Sequence, residues 1–260
     1  MCRPSQHLKM NKKGSFLENK GLNAPCFILV RPQMAENIGM AARAMMNCGV
    51  FDLRLVAPRE SPTDEKALSA SSGADLILRR SRIFETLSQA VADLNFLLAT
   101  TARARDMEKT VLTAQEAMPL LVQRIKGGEK GGILFGCERT GLLNDELALA
   151  DQLLTIPLNP AHTSLNLSQA VLLAGYEWLK AFQTSQLKPE KSQPAMATKE
   201  ELTQFLDRLE NVLDERGYYR LALKKPRMRR NLNNIFVKAG LTEQEVRTLH
   251  GVLNTLTHKS

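Results

Sequence analysis

Short apolar runs alternate with longer amphipathic stretches along most of the chain. A short apolar run is typical of a buried strand, and apolar residues that recur every three or four positions are typical of a helix. This pattern predicts strands at 26–30, 53–56, 74–78, 94–99, 132–135 and 153–156, and helices at 38–48, 83–92, 114–126, 144–150 and 165–182. Strands that alternate with helices in this way predict an α/β fold, with a mostly parallel sheet and helices on both faces.

Two of these helices depend on single residues. Asn37 is predicted to cap the first helix and Gly49 to end it. Pro119 is compatible with the helix at 114–126 only if it lies in the first turn, because a proline further along removes a backbone hydrogen bond.

The chain after residue 184 differs in composition from the segment before it. Residues 185–197 are rich in Pro, Lys, Gln and Ser, which is typical of a linker. Apolar residues at helical spacing then predict helices at 199–216, 231–239 and 242–253, the last with Thr242 and Glu245 as a capping box. We therefore expect four parts: a basic arm at 1–23, the main α/β domain at 24–184, the linker at 185–197 and a small helical extension at 198–260.

The composition limits the class of protein. The 260 residues are 43% hydrophobic, enough for one sizeable α/β domain and an appendage. No apolar run approaches the length of a membrane span, so we expect a soluble protein that does not bind a membrane; a mitochondrial targeting segment at the start is a weak alternative. The four cysteines, Cys2, Cys26, Cys48 and Cys137, form no CxxC pair, which argues against a metal site or a disulfide framework and favours a reducing, cytoplasmic location.

The charge is strongly positive. Lys and Arg number 35 against 27 Asp and Glu, a net charge of +8, and the sequence pI is about 9.4. A basic balance of this size is typical of proteins with a polyanionic partner. Six cations and no acid occur between residues 220 and 230: Arg220, Lys224, Lys225, Arg227, Arg229 and Arg230. We predict that this basic block contacts phosphate groups; the alternative is a solvated helix end.

Polar segments follow three of the predicted strands, at 100–103, 135–142 and 156–165. The carboxyl ends of parallel strands meet at one edge of a sheet, where ligands bind in folds of this type. Three polar loops at that edge predict a built pocket. For the third loop the alternative is a plain strand-to-helix turn capped by Thr163 or Ser164.

Two other kinds of site are disfavoured. The first strand is followed by Arg-Pro-Gln-Met-Ala-Glu-Asn-Ile-Gly, which is not the GxGxxG fingerprint of a nicotinamide-binding fold. Cys137 as a nucleophile would need a histidine partner, and His162 is the only histidine near these motifs.

Together with Asn37-Ile-Gly-Met-Ala-Ala-Arg43-Ala-Met, the three polar segments resemble the SpoU/TrmH class of SPOUT-superfamily RNA 2′-O-ribose methyltransferases. The resemblance covers about residues 24–182 and is greatest to the TrmJ-type tRNA enzymes, which also have a similar helical extension. It implies a trefoil knot near the carboxyl end of the sheet. It also implies that S-adenosylmethionine binds in the knot loops and that a homodimer interface completes the active site.

The resemblance assigns the cofactor pocket position by position, to Thr100, Thr101, Ala102, Gly136, Ile156, Thr163, Ser164 and Leu165. Backbone groups of Ile156 and Leu165 would read the adenine edge. Gly136 would let its loop approach the ligand without a Cβ clash. The alternatives are a plain turn glycine at Gly136 and a core strand end at Ile156.

The resemblance also implies that Arg43 is essential to catalysis. A guanidinium hardly deprotonates in proteins, so we expect Arg43 to hold the target phosphate and to stabilise the developing 2′-alkoxide rather than act as a base. The alternative is a structural salt bridge with Glu36 or Glu138. The second candidates are Asn37, which a simple helix cap would also explain, Glu138, which would orient backbone or Arg43, and Ser164 and Asn166, which would position the ribose or the cofactor.

The expected substrate is tRNA. TrmJ-type enzymes methylate nucleotide 32 of the anticodon loop, and unpaired loops are the usual targets of specific RNA readers. Arg103 and the basic block would contact the RNA. The alternatives are a 2′-O-methyltransferase for ribosomal RNA or another tRNA site, and a non-catalytic RNA-binding protein that retains the knot.

Overall fold

The computed structural model describes residues 24–101, 109–185 and 195–257. Within them seven strands form one sheet: β1 (Cys26–Val30), β2 (Leu53–Val56), β3 (Arg82–Phe84), β4 (Phe96–Thr100), β5 (Val111–Thr113), β6 (Gly131–Phe135) and β7 (Gln152–Thr155). All neighbouring strands are parallel, in the order β3-β2-β1-β6-β4-β7-β5. The predicted parallel α/β fold is confirmed.

The helices of the sheet domain are α1 (Ala35–Asn47), α2 (Glu65–Ser71), α3 (Asp75–Arg80), α4 (Leu87–Val91), α5 (Ala114–Lys126), α6 (Asn144–Ala148) and α7 (Leu167–Ser185). Side chains of β1 alternate between two apolar cores. Phe27 and Leu29 join the core that contains α1, α5 and α7, whereas Ile28 and Val30 join the core that contains α4 and α6. Every residue of β1 is buried because helices cover both faces, which explains its continuous apolar run.

Two predictions near the edge of the sheet are wrong. Residues 75–78 belong to helix α3 and Ala74 is its N-cap; Ala74, Ile77 and Leu78 are buried and Leu76 is exposed. That spacing is helical, but so short a window does not distinguish it from a strand. The predicted helix at 83–92 is instead the edge strand β3 followed by α4, which a capping box of Thr86 and Gln89 begins. Strand β5 was not predicted, because it is a three-residue edge strand with an exposed Val111.

Three helix details also differ from the prediction. Helix α1 begins at Ala35, so Asn37 lies in its first turn and is not the cap. Helix α5 keeps Pro119 beyond its first turn. Pro119 and Gln115 are both exposed, so solvent can bond the Gln115 carbonyl that loses its partner. Helix α7 begins at Leu167, which leaves Leu165 in the preceding loop.

The helical extension consists of α8 (Lys199–Glu215), a 3₁₀ turn (Ala222–Lys224), α9 (Lys225–Ala239) and α10 (Glu243–Thr257). The three α-helices share a small apolar core around Phe205, Val237, Val246 and Leu253. The predicted capping box is present, since the Thr242 N–H donates to Glu245 Oε2 (2.7 Å) and the Glu245 N–H to Thr242 Oγ1 (3.2 Å). The predicted arm and most of the predicted linker lie outside the described residues.

Polar contacts join the extension to the sheet domain at two places. At the amino edge, Lys199 Nζ lies 2.5 Å from Asp151 Oδ2 in a largely buried ion pair, and the Lys199 N–H donates to the Leu94 carbonyl (2.5 Å). At the other end, Arg230 of α9 pairs with Asp145 of α6 (3.1 Å).

None of the described helices combines the length and the apolar character needed to cross a membrane.

Candidate active site

A cavity of about 630 Å³ opens at the carboxyl edge of the sheet, where the chain leaves β4, β6 and β7. This volume is in the range of small-molecule sites, and the position is where parallel sheets bind ligands. Seven of the eight predicted cofactor residues line it: Thr100, Thr101, Gly136, Ile156, Thr163, Ser164 and Leu165. The eighth, Ala102, lies outside the described residues, as does Arg103.

The loop after β6 folds back tightly on itself. The Gly141 N–H donates to the Cys137 carbonyl (2.9 Å), and Gly141 has a left-handed φ of 65°. A Cβ atom on Gly136 would lie 2.2 Å from the Gly141 carbonyl carbon and 2.3 Å from the Leu142 nitrogen. Gly136 is therefore required by close backbone contact rather than by its own φ angle, and it shapes the wall of the cavity.

The loop before α7 supplies the opposite wall. Thr163 and Ser164 are exposed, and within the described part of the chain neither hydroxyl has a hydrogen-bond partner. The alternative, in which one of them caps the helix, is wrong, because the Asn166 side chain accepts the Ser168 N–H (2.8 Å) at the start of α7. The two hydroxyls thus remain available to a ligand.

Ile156 and Thr100 serve the fold and the cavity together. Ile156 packs against the apolar core and also lines the cavity, so both interpretations of this residue hold. The Thr100 hydroxyl donates to the Leu134 carbonyl (2.9 Å), which links the end of β4 to β6.

A chain of hydrogen bonds joins the start of α1 to both loops. The Asn37 Nδ2 group donates to Glu138 Oε1 (2.7 Å), and Asn166 Nδ2 donates to Asn37 Oδ1 (2.9 Å). The Gln33 N–H donates to Glu138 Oε2 (3.0 Å). Asn37 is buried, and buried amides need partners of this kind. Three of the predicted site residues, Asn37, Glu138 and Asn166, therefore act as one network, and Glu138 holds backbone and Asn37 rather than Arg43.

Arg43 lies exposed on α1, where its Nη1 donates to the Ser72 hydroxyl (3.3 Å). The two acids proposed as structural partners are engaged elsewhere, Glu36 with Lys66 (3.8 Å) and Glu138 with Asn37. Among the described residues no carboxylate neutralises Arg43, and it is not part of the cavity wall. Its charge is therefore free for a partner outside the chain.

Residues 25–176, which include every element of the cavity and the network, match the model of the SpoU rRNA methylase family. The chain belongs to this family. Membership confirms the methyltransferase class that the motifs predicted.

Relatives within the SpoU family cover nearly the whole chain. The tRNA (cytidine/uridine-2′-O-)-methyltransferase TrmJ of Photorhabdus laumondii is 33% identical over 231 residues, 88% of this chain and 95% of that protein. The enzyme of the same name from Sodalis glossinidius is 34% identical, over 89% of this chain and 90% of that protein. The crystal structure of TrmJ from Z. mobilis ZM4 matches with a TM-score of 0.82 and 44% identity, over 91% of this chain and all of that one.

The basic block of this SpoU-family chain divides into two groups. Lys225 pairs with Asp214 (2.7 Å), Arg229 with Glu210 (2.5 Å) and Arg230 with Asp145 (3.1 Å). The other three cations, Arg220, Lys224 and Arg227, are exposed and form no ion pair within the described residues. The block contains no acid of its own, so the sequence did not reveal that α8 and α6 supply balancing carboxylates.

Cys137 does not form the nucleophilic pair considered from the sequence. Burial raises the pKa of its thiol, but hydrogen bonds with Thr140 and the Arg139 backbone outweigh this and hold the pKa below its ordinary value. The Sγ atom lies 3.1 Å from Thr140 Oγ1, and no contact with His162 is present among the described residues. The thiol is a tightly held part of the loop.

Sequence reasoning missed Gln33, whose backbone N–H holds Glu138. A backbone donor has no side-chain signature, so the only available signal was its position between the end of β1 and Asn37. The fold, not the residue type, creates this contact.

Proposed function

We propose that this chain transfers the methyl group of S-adenosylmethionine to a ribose 2′-hydroxyl of tRNA, at nucleotide 32 of the anticodon loop. The observation that carries the proposal is the cavity at the carboxyl edge, which brings together seven predicted cofactor residues from three separate loops. Relatives that match about nine tenths of the chain are named as tRNA (cytidine/uridine-2′-O-)-methyltransferases, which supports the substrate.

The residues present fit the cofactor. The cavity is large enough for a nucleoside with a short side chain. Because Gly136 has no Cβ, its loop can fold back against Gly141 and Leu142 and form one wall of the cavity. The free hydroxyls of Thr163 and Ser164 would bind polar groups of S-adenosylmethionine, and backbone groups of Ile156 and Leu165 would bind its adenine. When bound, the cofactor supplies a methyl group on a positively charged sulfur.

Methyl transfer in this site depends mainly on alignment, because a displacement at carbon needs an in-line approach more than a strong acid or base. The Asn37–Glu138–Asn166 network fixes the two cofactor loops relative to α1. Arg43 on α1 would bind the phosphate of the target nucleotide. Its fixed charge would also stabilise the negative charge that develops on the 2′-oxygen.

Two further features implied by the family resemblance are part of the proposal. The loops at 136–142 and 156–166 would form the trefoil knot. A second copy of the chain would pack on the flank where α7 lies beside α1, since this flank exposes Leu172, Leu173 and Tyr176 together with Met40. Light scattering tests the dimer, because a mass near that of one chain would exclude a shared active site.

The unpaired cations of the basic block are the proposed phosphate contacts. Replacing Arg227 by alanine should weaken tRNA binding and lower the slope of log affinity against log salt by roughly one. Affinity is measured by filter binding across a salt series. Arg79→Ala on α3 is the control with the same loss of charge.

Arg229→Ala should behave differently, because it leaves the largely buried Glu210 carboxylate without its partner. We expect this variant to lose thermal stability more than affinity. For the Arg227 prediction, equal salt slopes in Arg227→Ala and the wild-type chain would show that Arg227 does not contact a phosphate.

The target is tested by methyl transfer from labelled S-adenosylmethionine to two tRNA transcripts, one with a 2′-deoxy nucleotide at position 32. We expect label in the transcript with an ordinary ribose at position 32 and none in the 2′-deoxy transcript. Equal labelling of both transcripts would refute nucleotide 32 as the target. In a parallel assay with ribosomal RNA, labelling of that RNA and of neither transcript would refute tRNA as the substrate. A chain that binds RNA but not the cofactor in calorimetry would be a non-catalytic binding protein.

A further inference from the structure

Arg31, the residue that follows β1, has an unusual backbone conformation. Its φ is 51°, in the left-handed region that residues with a side chain seldom adopt. The surroundings enforce it, since the Arg31 N–H donates to the Val56 carbonyl (2.8 Å) and Gln33 Nε2 donates to the Arg31 carbonyl (2.9 Å). A conformation held in this way is often associated with function.

The enforced backbone directs the Arg31 side chain across to α6. Its guanidinium makes a two-point ion pair with Glu146, Nη1 to Oε1 and Nη2 to Oε2, the latter at 3.1 Å. The Arg31 side chain is 33% exposed and that of Glu146 only 11%, so the pair is shielded from much of the solvent. Glu146 Oε2 also accepts the N–H of Leu143 (2.7 Å), the residue before α6. One carboxylate thus ties Arg31 to the start of the helix.

The Arg31–Glu146 ion pair lies at the carboxyl-terminal end of the loop after β6, which forms one wall of the cavity. Leu142 and Leu147, on either side of the tied segment, both line the cavity. The near end of the same loop is tied by the Gln33 N–H to Glu138. Residues 31–33 therefore hold the loop at both of its ends, although none of them lines the cavity.

We propose that Arg31 is a positioning residue for the cofactor site: its ion pair with Glu146 holds the segment 136–146 in the form that encloses S-adenosylmethionine. The inference rests on the proposed function, since it assumes that the cavity takes this cofactor. A planar guanidinium suits the role because it bonds both carboxylate oxygens at once, which a lysine ammonium does not.

The test measures binding of S-adenosylhomocysteine, the product left after methyl transfer, by calorimetry on the full chain. Arg31→Ala should weaken the binding of S-adenosylhomocysteine by about tenfold, an effect typical of residues that orient a binding group without touching the ligand. The KM for S-adenosylmethionine should rise in parallel, while kcat at saturating cofactor stays within about twofold. The affinity of Arg31→Lys for S-adenosylhomocysteine should lie between that of Arg31→Ala and that of the wild-type chain. Arg80→Ala, an exposed change on α3, is the control and should leave both quantities unchanged.

A double-mutant cycle separates the pair from general damage. Once Glu146→Gln has removed the carboxylate charge, adding Arg31→Ala should cause little further loss of affinity. If Arg31→Ala does not fold, Arg31→Lys and Glu146→Gln carry the same test. Wild-type affinity in a variant with a lowered melting temperature would reduce Arg31 to a structural role and overturn the inference. A wild-type chain that binds no S-adenosylhomocysteine would instead overturn the proposed function.

Discussion

Replacing Arg43 by alanine should lower the rate of methyl transfer by about 10²- to 10³-fold, the effect typical of removing one group that stabilises charge in a transition state. The expectation follows from its surroundings. Arg43 is exposed on α1, and within the described residues its guanidinium hydrogen-bonds to the Ser72 hydroxyl and pairs with no carboxylate. The measurement is a single-turnover assay at saturating cofactor and tRNA, which isolates the chemical step from binding.

The Arg43 variants also distinguish charge from geometry. Arg43→Lys keeps the charge but loses the planar fork, so it should retain part of the rate. Because Arg43 is exposed and its hydrogen bond to Ser72 is long, Arg43→Ala should change the free energy of unfolding by less than about 0.5 kcal/mol, which chemical denaturation can verify. A single-turnover rate within twofold of the wild-type value would remove Arg43 from the active site.

Replacing Gly136 by alanine should abolish cofactor binding at concentrations that saturate the wild-type chain. The added Cβ would lie 2.2 Å from the Gly141 carbonyl carbon, and backbone cannot yield as the end of a side chain can. The loop at 136–142 must therefore move, and with it one wall of the cavity. Overpacking of this kind should lower the free energy of unfolding by about 1–3 kcal/mol. Calorimetry with S-adenosylhomocysteine and denaturant titration measure the two effects.

Gly251→Ala is the matched control, because it makes the same chemical change where nothing opposes it. Gly251 lies within α10, and apart from its chain neighbours and the backbone of its own helix no described heavy atom lies within 4 Å of the position that its Cβ would occupy. Alanine there should raise the free energy of unfolding by roughly 0.5–1 kcal/mol and leave cofactor binding unchanged. Cofactor affinity in Gly136→Ala equal to that of this control would mean that the loop adapts and that Gly136 does not shape the site.

The part of the site that depends on strand ends was predictable from the sequence. Residues such as Thr100, Gly136 and Ile156 follow apolar runs, and parallel strands bring their carboxyl ends to one edge whatever their distance along the chain. To predict where the cavity lies, it is enough to identify the strands. The resemblance of three motifs to a known family added the assignment of individual residues, and the roles of those residues stay predictions.

What could not be predicted depends on contacts between distant segments. Asn37 appeared to be a helix cap because it precedes an apolar helix, and only the positions of Glu138 and Asn166 reveal it as the centre of a network. The paired half of the basic block was hidden for the same reason, since Glu210 and Asp145 belong to other helices. At 74–78 the window was too short for its helical period to be recognised.

The two anchors of the helical extension have a consequence for how a nucleotide is chosen. Lys199 fixes the beginning of the extension at the amino edge of the sheet, and Arg230 fixes α9 beside α6 near the cavity. If tRNA binds as proposed, the phosphate held by Arg227 would lie at a fixed distance from the cofactor cavity. Distance along the tRNA, and not only the identity of the base, would then determine which ribose is modified.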